Sequence, residues 1–271
     1  MTVRLIVTRV QPQAQQWADR LGAKGHDAPV LPLIEVRGLA DATAVHGAWL
    51  NLSRYKAAMF VSRHAVDYFF QARPAPDPGA QALAAMTTRW WSTGPGTAHA
   101  LLAHGVPSPL LDTPPEQAGQ FDSEALWQQV QTQVRPGDKV LIVRGDSVVP
   151  DGTSVDDNEQ GVGREWLAER LRQSGAQVDF VVAYQRGAPV WTSQQRALAQ
   201  SAAGDRSVWL FSSAEALDHL HSLLPGQDWS AARAVATHPR IAAAARGLGF
   251  GVVAQTRPTL EDVLASIESL A

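Results

Sequence analysis

A phenol is the most reactive-looking group on either of two matched stretches of this chain. It belongs to Tyr184, in the run VDFVVAYQR from Val178 to Arg186. A tyrosine hydroxyl stays protonated at neutral pH and can hand its proton to a departing oxygen. Around it in the sequence stand short groups at the expected ends of strands: Thr8-Arg9, Ser62-Arg63-His64, Thr93-Gly94-Pro95-Gly96-Thr97, Arg144-Gly145, Ser213 and Thr237-His238-Pro239-Arg240. Hydroxyls, backbone amides and a few cations in such places suit carboxylates or phosphates. A serine or threonine before a helix is more commonly an N-cap. Here the same kinds of residue recur in two halves of the chain, which favours a binding role.

Other chemistries are excluded or unsupported. The chain has no Cys, so disulfides, thiolate metal sites, iron–sulfur clusters and Cys nucleophiles are absent. The eight His residues do not cluster: His99/His104 and His219/His221 lack the i, i+4 spacing of a helical zinc pair, HExxH is missing, and no metal is expected. TGPGT has neither GxxxxGK[ST] nor GxGxxG, so a nucleotide site is poorly supported. Arg144-Gly145-Asp146 reads as a strand end entering a loop. Asp151, Asp156, Asp157 and Glu159 lack calcium-loop spacing and receive no role. The nine Trp residues sit mostly in apolar helical or strand patterns and read as packing residues.

The elements that must position these groups follow from periodicity. Residues 4 to 8 read as a buried strand, and Ala14, Trp17, Ala18 and Leu21 have helical spacing that ends at Gly22 and Gly25. A second strand over 28–36 completes a βαβ unit, whose crossover is right-handed and whose sheet is parallel. The unit recurs at KVLIVR (139–144), REWLAERLRQSGAQ and the Tyr184 strand. AAMFVSRHAVDYF is echoed by SVWLFSSAEALDHL, TGPGTAHALLAHGVP by THPRIAAAARGLGFG, and FDSEALWQQV by RPTLEDVLASI. Four parts therefore occur twice, which predicts two similar α/β lobes with doubly wound parallel sheets.

The order of the parts predicts a discontinuous first lobe, 1–36 plus 186–271, and an inserted second lobe, 40–182. Segments 30–40 and 178–188 would lie side by side as a two-stranded β ribbon joining them. Residues 147–163 read as a mobile polar loop. A length of 271 residues agrees with two domains at roughly 150 residues each. Apolar content of 45% and charged content of 18% fit a packed globular protein. With no membrane-spanning run and no secretory leader at MTVRLIVTR, a cytoplasmic location is expected. A net charge of −3 with scattered basic residues argues against nucleic-acid partners.

Taken in order, LIVTR, LPLIEV, FVSRHAV, TGPGTAHALLAHG, SEAL, KVLIVRG, REWLAERL with SGAQV and AYQR, FSSAEAL and PTLEDVLASI resemble uroporphyrinogen-III synthase over nearly the whole chain. The resemblance implies two HemD-like, flavodoxin-like lobes and a ribbon between them. It implies closure of hydroxymethylbilane to uroporphyrinogen III, with loss of water and inversion of ring D through a spiro intermediate. No cofactor is implied. By the same resemblance Tyr184 matches the tyrosine that assists departure of the hydroxyl. Ser62 and Ser213 match paired strand-end serines, and Thr93 to Thr97 match the turn that meets the substrate's acid side chains. The second such turn departs from the family's IGPTTA: His238 replaces Gly, and Arg240 and Ile241 replace two Thr, so Arg240 is expected to pair with a substrate carboxylate. A monomer is expected, with transient hand-over of the bilane from hydroxymethylbilane synthase and no membrane partner. The rival readings are a non-catalytic two-lobe binding protein or sensor for an acidic small molecule, and a nucleotide-sugar transferase lacking any recognisable diphosphate site.

Overall fold

The structure is a computed structural model and describes residues 3–75, 87–115, 122–148, 154–155 and 158–270. It divides into two compact units, Met1–Glu35 with Gly187–Ala271 (unit 1) and Val36–Arg186 (unit 2). Unit 1 begins with β1 (Leu5–Val7) and α1 (Gln13–Gly22). Unit 2 follows as β2 (Glu35–Gly38), α2 (Thr43–Leu50), β3 (Ala57–Phe60), α3 (Arg63–Gln71), β4 (Arg89–Ser92), α4 (Pro95–Ala103), β5 (Leu111–Asp112), α5 (Ser123–Val130), β6 (Lys139–Val148), β7 (Ser154–Val155), α6 (Asn158–Gln173) and β8 (Gln177–Gly187). The chain then returns to unit 1 with α7 (Ser193–Ala202), β9 (Val208–Phe211), α8 (Glu215–Leu223), β10 (Arg233–Ala236), α9 (Pro239–Gly247), β11 (Val252–Gln255) and α10 (Leu260–Glu268).

Each unit has one sheet with helices on both faces, because β1 and β9 in unit 1 and β3 in unit 2 are apolar at every position and are buried on both sides. In unit 1 the order is β1-β9-β10-β11, all neighbours parallel. Ile6, Trp209, Phe211, Ala234 and Ala236 pack with α7, α8 and α9, while Leu5, Val7, Val208, Leu210 and Val235 pack with α1 and α10. In unit 2 the order is β2-β8-β6-β3-β4-β5, with β7 beside β6. Ala58, Phe60, Trp90, Leu141 and Val143 meet α2, α3 and α4; Ala57, Met59, Trp91, Val140 and Ile142 meet α5 and α6. The strict alternation along each strand is the period of two expected of a pleated strand. Both units are therefore doubly wound.

Two local expectations change. The strand expected over 28–36 is reduced to isolated bridges, Arg4 with Asp27 and Val7 with Val30, before β2 begins at Glu35. Pro29 and Pro32 lack N–H groups and interrupt the ladder, although Leu31 N–H still donates to Val7 O. The stretch 147–163 is not simply a loop in its described part. Ser147 and Val148 end β6 and pair antiparallel with Val155 and Ser154 of β7, and α6 starts at Asn158. Asp151, Asp156 and Asp157 lie outside the described residues. β2 and β8 are neighbours at the edge of the unit 2 sheet, so these parts of the two matched stretches lie side by side, as their pattern suggests.

Among the described residues no helix is long and apolar enough to cross a membrane. The unit 2 core rests on an aromatic cluster: Phe60 lies 5.7 Å from Trp90, nearly parallel, and edge-on to Phe69 at 5.4 Å. All three are fully buried. Phe60→Ala leaves a cavity in this cluster and is expected to lower stability by about 3–5 kcal/mol, read as a shift in the urea midpoint.

Candidate active site

The strand registers bring the sequence motifs to one edge of each sheet. In unit 2, Phe60 is opposite Ser92 on one side and Val143 on the other. Ser62 and Thr93 therefore emerge at the carboxyl ends of β3 and β4, level with Arg144-Gly145 within β6, at the edge where ligands bind in doubly wound sheets. In unit 1, Val7 is opposite Val208's strand neighbour Leu210, which is opposite Val235. Thr8-Arg9, Ser212-Ser213 and Thr237 leave the sheet at the corresponding edge.

Tyr184 on β8 is buried, 3% exposed, and every contact that fixes it comes from unit 2. Its hydroxyl lies 3.2 Å from Ser62 Oγ. Ser62 is the N-cap of α3 and accepts from the Ala65 N–H at 3.1 Å. That bond uses one lone pair of the Ser62 oxygen and leaves its proton available for Tyr184. The ring of Tyr184 lies against Gly145 of β6: a Cβ at residue 145 would collide with the ring's Cζ and Cε2 and lie 2.7 Å from its hydroxyl oxygen. His64 and Tyr68, i and i+4 on α3, complete the wall at 5.8 and 5.9 Å between ring centroids. Tyr68 donates its hydroxyl to Val36 O at 2.9 Å, which ties the wall to β2. The sequence reading overlooked Tyr68, although its helical spacing from His64 carried the signal.

The remaining expected residues of unit 2 take simpler places. Arg63 is exposed and pairs with Asp67 at 3.3 Å, one turn along α3. Gly94 is the N-cap of α4, with Pro95 at its first turn; Thr93 is half-buried, Gly96 exposed and Thr97 buried. The first hydrogen bond of α4 runs from Ala98 to Gly94 O, so the Gly96 and Thr97 N–H groups precede the helical ladder. Arg144 is half-buried, with its guanidinium 5.9 Å from the Phe180 ring.

In unit 1 the outcome is more divided. Thr8 is buried and donates its hydroxyl to Leu210 O at 2.6 Å, so its donor is committed inside the sheet. Arg9 is half-buried and stacks over Trp17 at 4.3 Å. Burial alone lowers its pKa, with no acidic neighbour raising it. Ser213 does not repeat the role of Ser62: α8 begins at Glu215 behind Ala214 and has no side-chain cap. The adjacent Ser212, which the sequence reading passed over, lines a small cavity with Arg9, Trp17 and Thr237. His238 caps α9, its Nδ1 accepting from the Arg240 N–H at 3.2 Å, with Pro239 next in the first turn and Arg240 exposed. An imidazole thus takes the capping place at this departure from the family pattern.

Two doubly wound units with hydroxyl, amide and cationic groups at their strand ends define a two-unit α/β protein of the small-molecule-binding kind. Comparison with known proteins narrows this. The family model described as uroporphyrinogen-III synthase HemD matches residues 15–155 and 158–265. The uroporphyrinogen-III synthases of Salmonella typhimurium and Escherichia coli are 28% and 26% identical over 255 residues, 91% of this chain and 92% of each relative. The solved structure of uroporphyrinogen-III synthetase from Helicobacter pylori superposes with a TM-score of 0.58 at 15% identity, over all of both chains. A mutant uroporphyrinogen III synthase from Thermus thermophilus gives 0.52 at 14%, over 99% of this chain and 98% of its own. The chain belongs to the uroporphyrinogen-III synthase family.

The Gly145 approach is testable by a double-mutant cycle. Gly145→Ala forces the Tyr184 ring from its seat and is expected to cost about 1–3 kcal/mol in urea denaturation. In a Tyr184→Ala background the same substitution is expected to cost at least about 1 kcal/mol less, because the colliding ring is gone. Equal costs in the two backgrounds contradict the contact.

Proposed function

We propose that this chain cyclises hydroxymethylbilane to uroporphyrinogen III, a cyclising lyase reaction that loses water and inverts ring D through a spiro intermediate. The observation that carries it is the family match across both units, 15–155 and 158–265. The niche that holds Tyr184 supports it. The substrate stabilises its own azafulvene cation, so the protein's work is to hold a flexible bilane in one folded shape and to protonate the leaving hydroxyl.

The proton path follows from the hydrogen bonds around Tyr184. Ala65 N–H donates to Ser62 Oγ, Ser62 donates to Tyr184, and the phenol donates to the departing oxygen. As the C–O bond breaks, the phenol proton leaves with the oxygen as water. The phenolate is stabilised by Ser62 and by the positive end of α3. Ring D then attacks through its substituted carbon, the spiro intermediate fragments, and closure in the inverted sense releases a proton from carbon that restores the phenol. No cofactor enters this scheme.

The carboxylates of the substrate have donors at the strand ends of unit 2, where the Gly96 and Thr97 N–H groups open α4. Arg240, exposed in the first turn of α9, supplies a further cation for a substrate carboxylate. We assign the protein to the cytoplasm as a monomer that receives the bilane from hydroxymethylbilane synthase.

Freshly generated hydroxymethylbilane, converted and oxidised, should give mainly type III uroporphyrin, since spontaneous closure gives type I. Type I alone from folded protein overturns the proposal. Tyr184→Phe is expected to lower kcat by about 10²–10⁴-fold, and Ser62→Ala by less, each with a smaller effect on KM. Arg240→Ala is expected to raise KM by about two- to fivefold, the modest scale of an exposed ion pair. Unchanged KM and kcat in that variant would remove Arg240 from the substrate's contacts.

A further inference from the structure

The hydrogen bond of Tyr184 is too long to fix the direction of its phenol. Its hydroxyl is 3.2 Å from Ser62 Oγ, whereas a bond between two hydroxyls usually closes to about 2.7–2.8 Å. A ring tethered so loosely can rock about the bonds that carry it, and a proton donor that is slightly misdirected loses rate. Gly145 makes room for the ring, and room is not restraint. The ring must be held by a side chain packed against it.

Tyr68 supplies that side chain. Its ring is 5.9 Å from the ring of Tyr184 with the planes 26° apart, an offset stack, whereas the His64 ring at 5.8 Å is tilted by 51°. Tyr68 is fixed in turn. Its hydroxyl donates to Val36 O of β2 at 2.9 Å, and its ring lies beside Gly38 of the same strand, where a Cβ would be 3.4 Å from Cδ1. The next residues of α3, Phe69 and Phe70, are buried in the unit 2 core and hold the helix that carries it. With its proton committed to Val36 O, Tyr68 is not itself the donor to a departing oxygen.

We infer that Tyr68 is a positioning residue for Tyr184: α3 and β2 together hold one phenol so that a second, stacked against it, keeps its proton aimed. The residue type fits the task. Phenylalanine would stack without reaching β2, and leucine would do neither. This role rests on the cyclisation reading for the step that Tyr184 performs, whereas the restraint on the ring does not. Tyr68 acts through Tyr184, so its loss is felt in kcat and not in KM.

The test has two arms on the full chain. In the first, the flip rate of the Tyr184 ring is measured by NMR relaxation dispersion on tyrosine-labelled protein without substrate. The chain has three tyrosines, Tyr55, Tyr68 and Tyr184, so single Tyr→Phe substitutions assign the signals. Tyr68→Leu should raise the Tyr184 flip rate by about two- to tenfold, the scale of one lost aromatic stack. Tyr55, bonded to Asp179 at 2.8 Å, should not change. An unchanged Tyr184 rate overturns the inference. In the second arm, Tyr68→Leu should lower kcat by about tenfold with KM held within about twofold, and Tyr68→Phe should lower it by less. In a Tyr184→Phe background the same substitutions should cost little more, because no phenol proton is left to aim. Equal losses in both backgrounds, the result of a merely structural role, overturn it. Tyr68→Phe carries the same cycle if Tyr68→Leu does not fold. If wild type makes no type III isomer while the flip rate responds, the restraint stands and the cyclisation reading fails. If wild type is active and the Tyr68 variants match it in flip rate and kcat, the positioning role alone fails.

Discussion

The site in unit 2 depends on the close approach of the Tyr184 ring to Gly145. β6 and β8 are adjacent strands, and a side chain on β8 ordinarily meets a Cβ on its neighbour. Without that atom at 145 the phenol can lie close to the sheet and reach Ser62 at the end of β3, one strand further on. The rest follows from this approach. Ser62 must cap α3 to present its oxygen, α3 must start there to place His64 and Tyr68 against the ring, and Tyr68 must reach β2 to close the wall. Glycine costs a strand about a kilocalorie of stability relative to other residues, and here the cost is offset by a close approach that no larger residue permits.

The duplicated architecture makes the divergence of the two units informative. Both place strand ends side by side and both begin helices there. In unit 2 the serine after β3 caps a helix and holds a phenol. In unit 1 the corresponding pair Ser212-Ser213 caps nothing, because α8 starts two residues later, and Ser212 lines a small cavity together with Arg9. The last turn compensates in its own way: His238 supplies the capping acceptor that a glycine lacks, which lets the helix start without a threonine. The two units thus use corresponding strand ends for different local contacts.

Most of the architecture could be read from the chain because its signals are local and repeated. Apolar runs such as AAMF, followed by a helix that Ser62 caps, and VWLF, followed by the uncapped α8, specify strand and helix without tertiary help. What failed was also local but of another kind. Pro29 and Pro32 break a ladder that the hydrophobic pattern of VLPLIEV suggests, and an apolar run says nothing of which N–H groups are missing. Tyr184 and Ser62 could be named one by one, but their hydrogen bond is a product of strand order, β8-β6-β3, which periodicity does not encode. Ser213 caps no helix and its neighbour Ser212 lines the cavity, a difference of one residue that reverses the side of the chain on which a hydroxyl emerges. Trp17 shows the limit of composition: its apolar helical neighbours indicate packing, whereas one face of the indole supports Arg9.

Charge balance constrains how such a protein handles an acidic ligand. With a net charge of −3, the chain as a whole does not attract a polyanion, so its affinity must come from short-range donors already oriented before the ligand arrives. Oriented amides at the start of α4 have that property, as does a guanidinium set over an indole ring. A mobile surface lysine would not, because it stays hydrated and would lose rotamer freedom on pairing. Donors fixed by secondary structure also resist screening better than exposed charges, since part of their strength lies in geometry. The groups that the fold immobilises first are helix starts, strand ends and arginines set over aromatic rings, Arg9 over Trp17 among them.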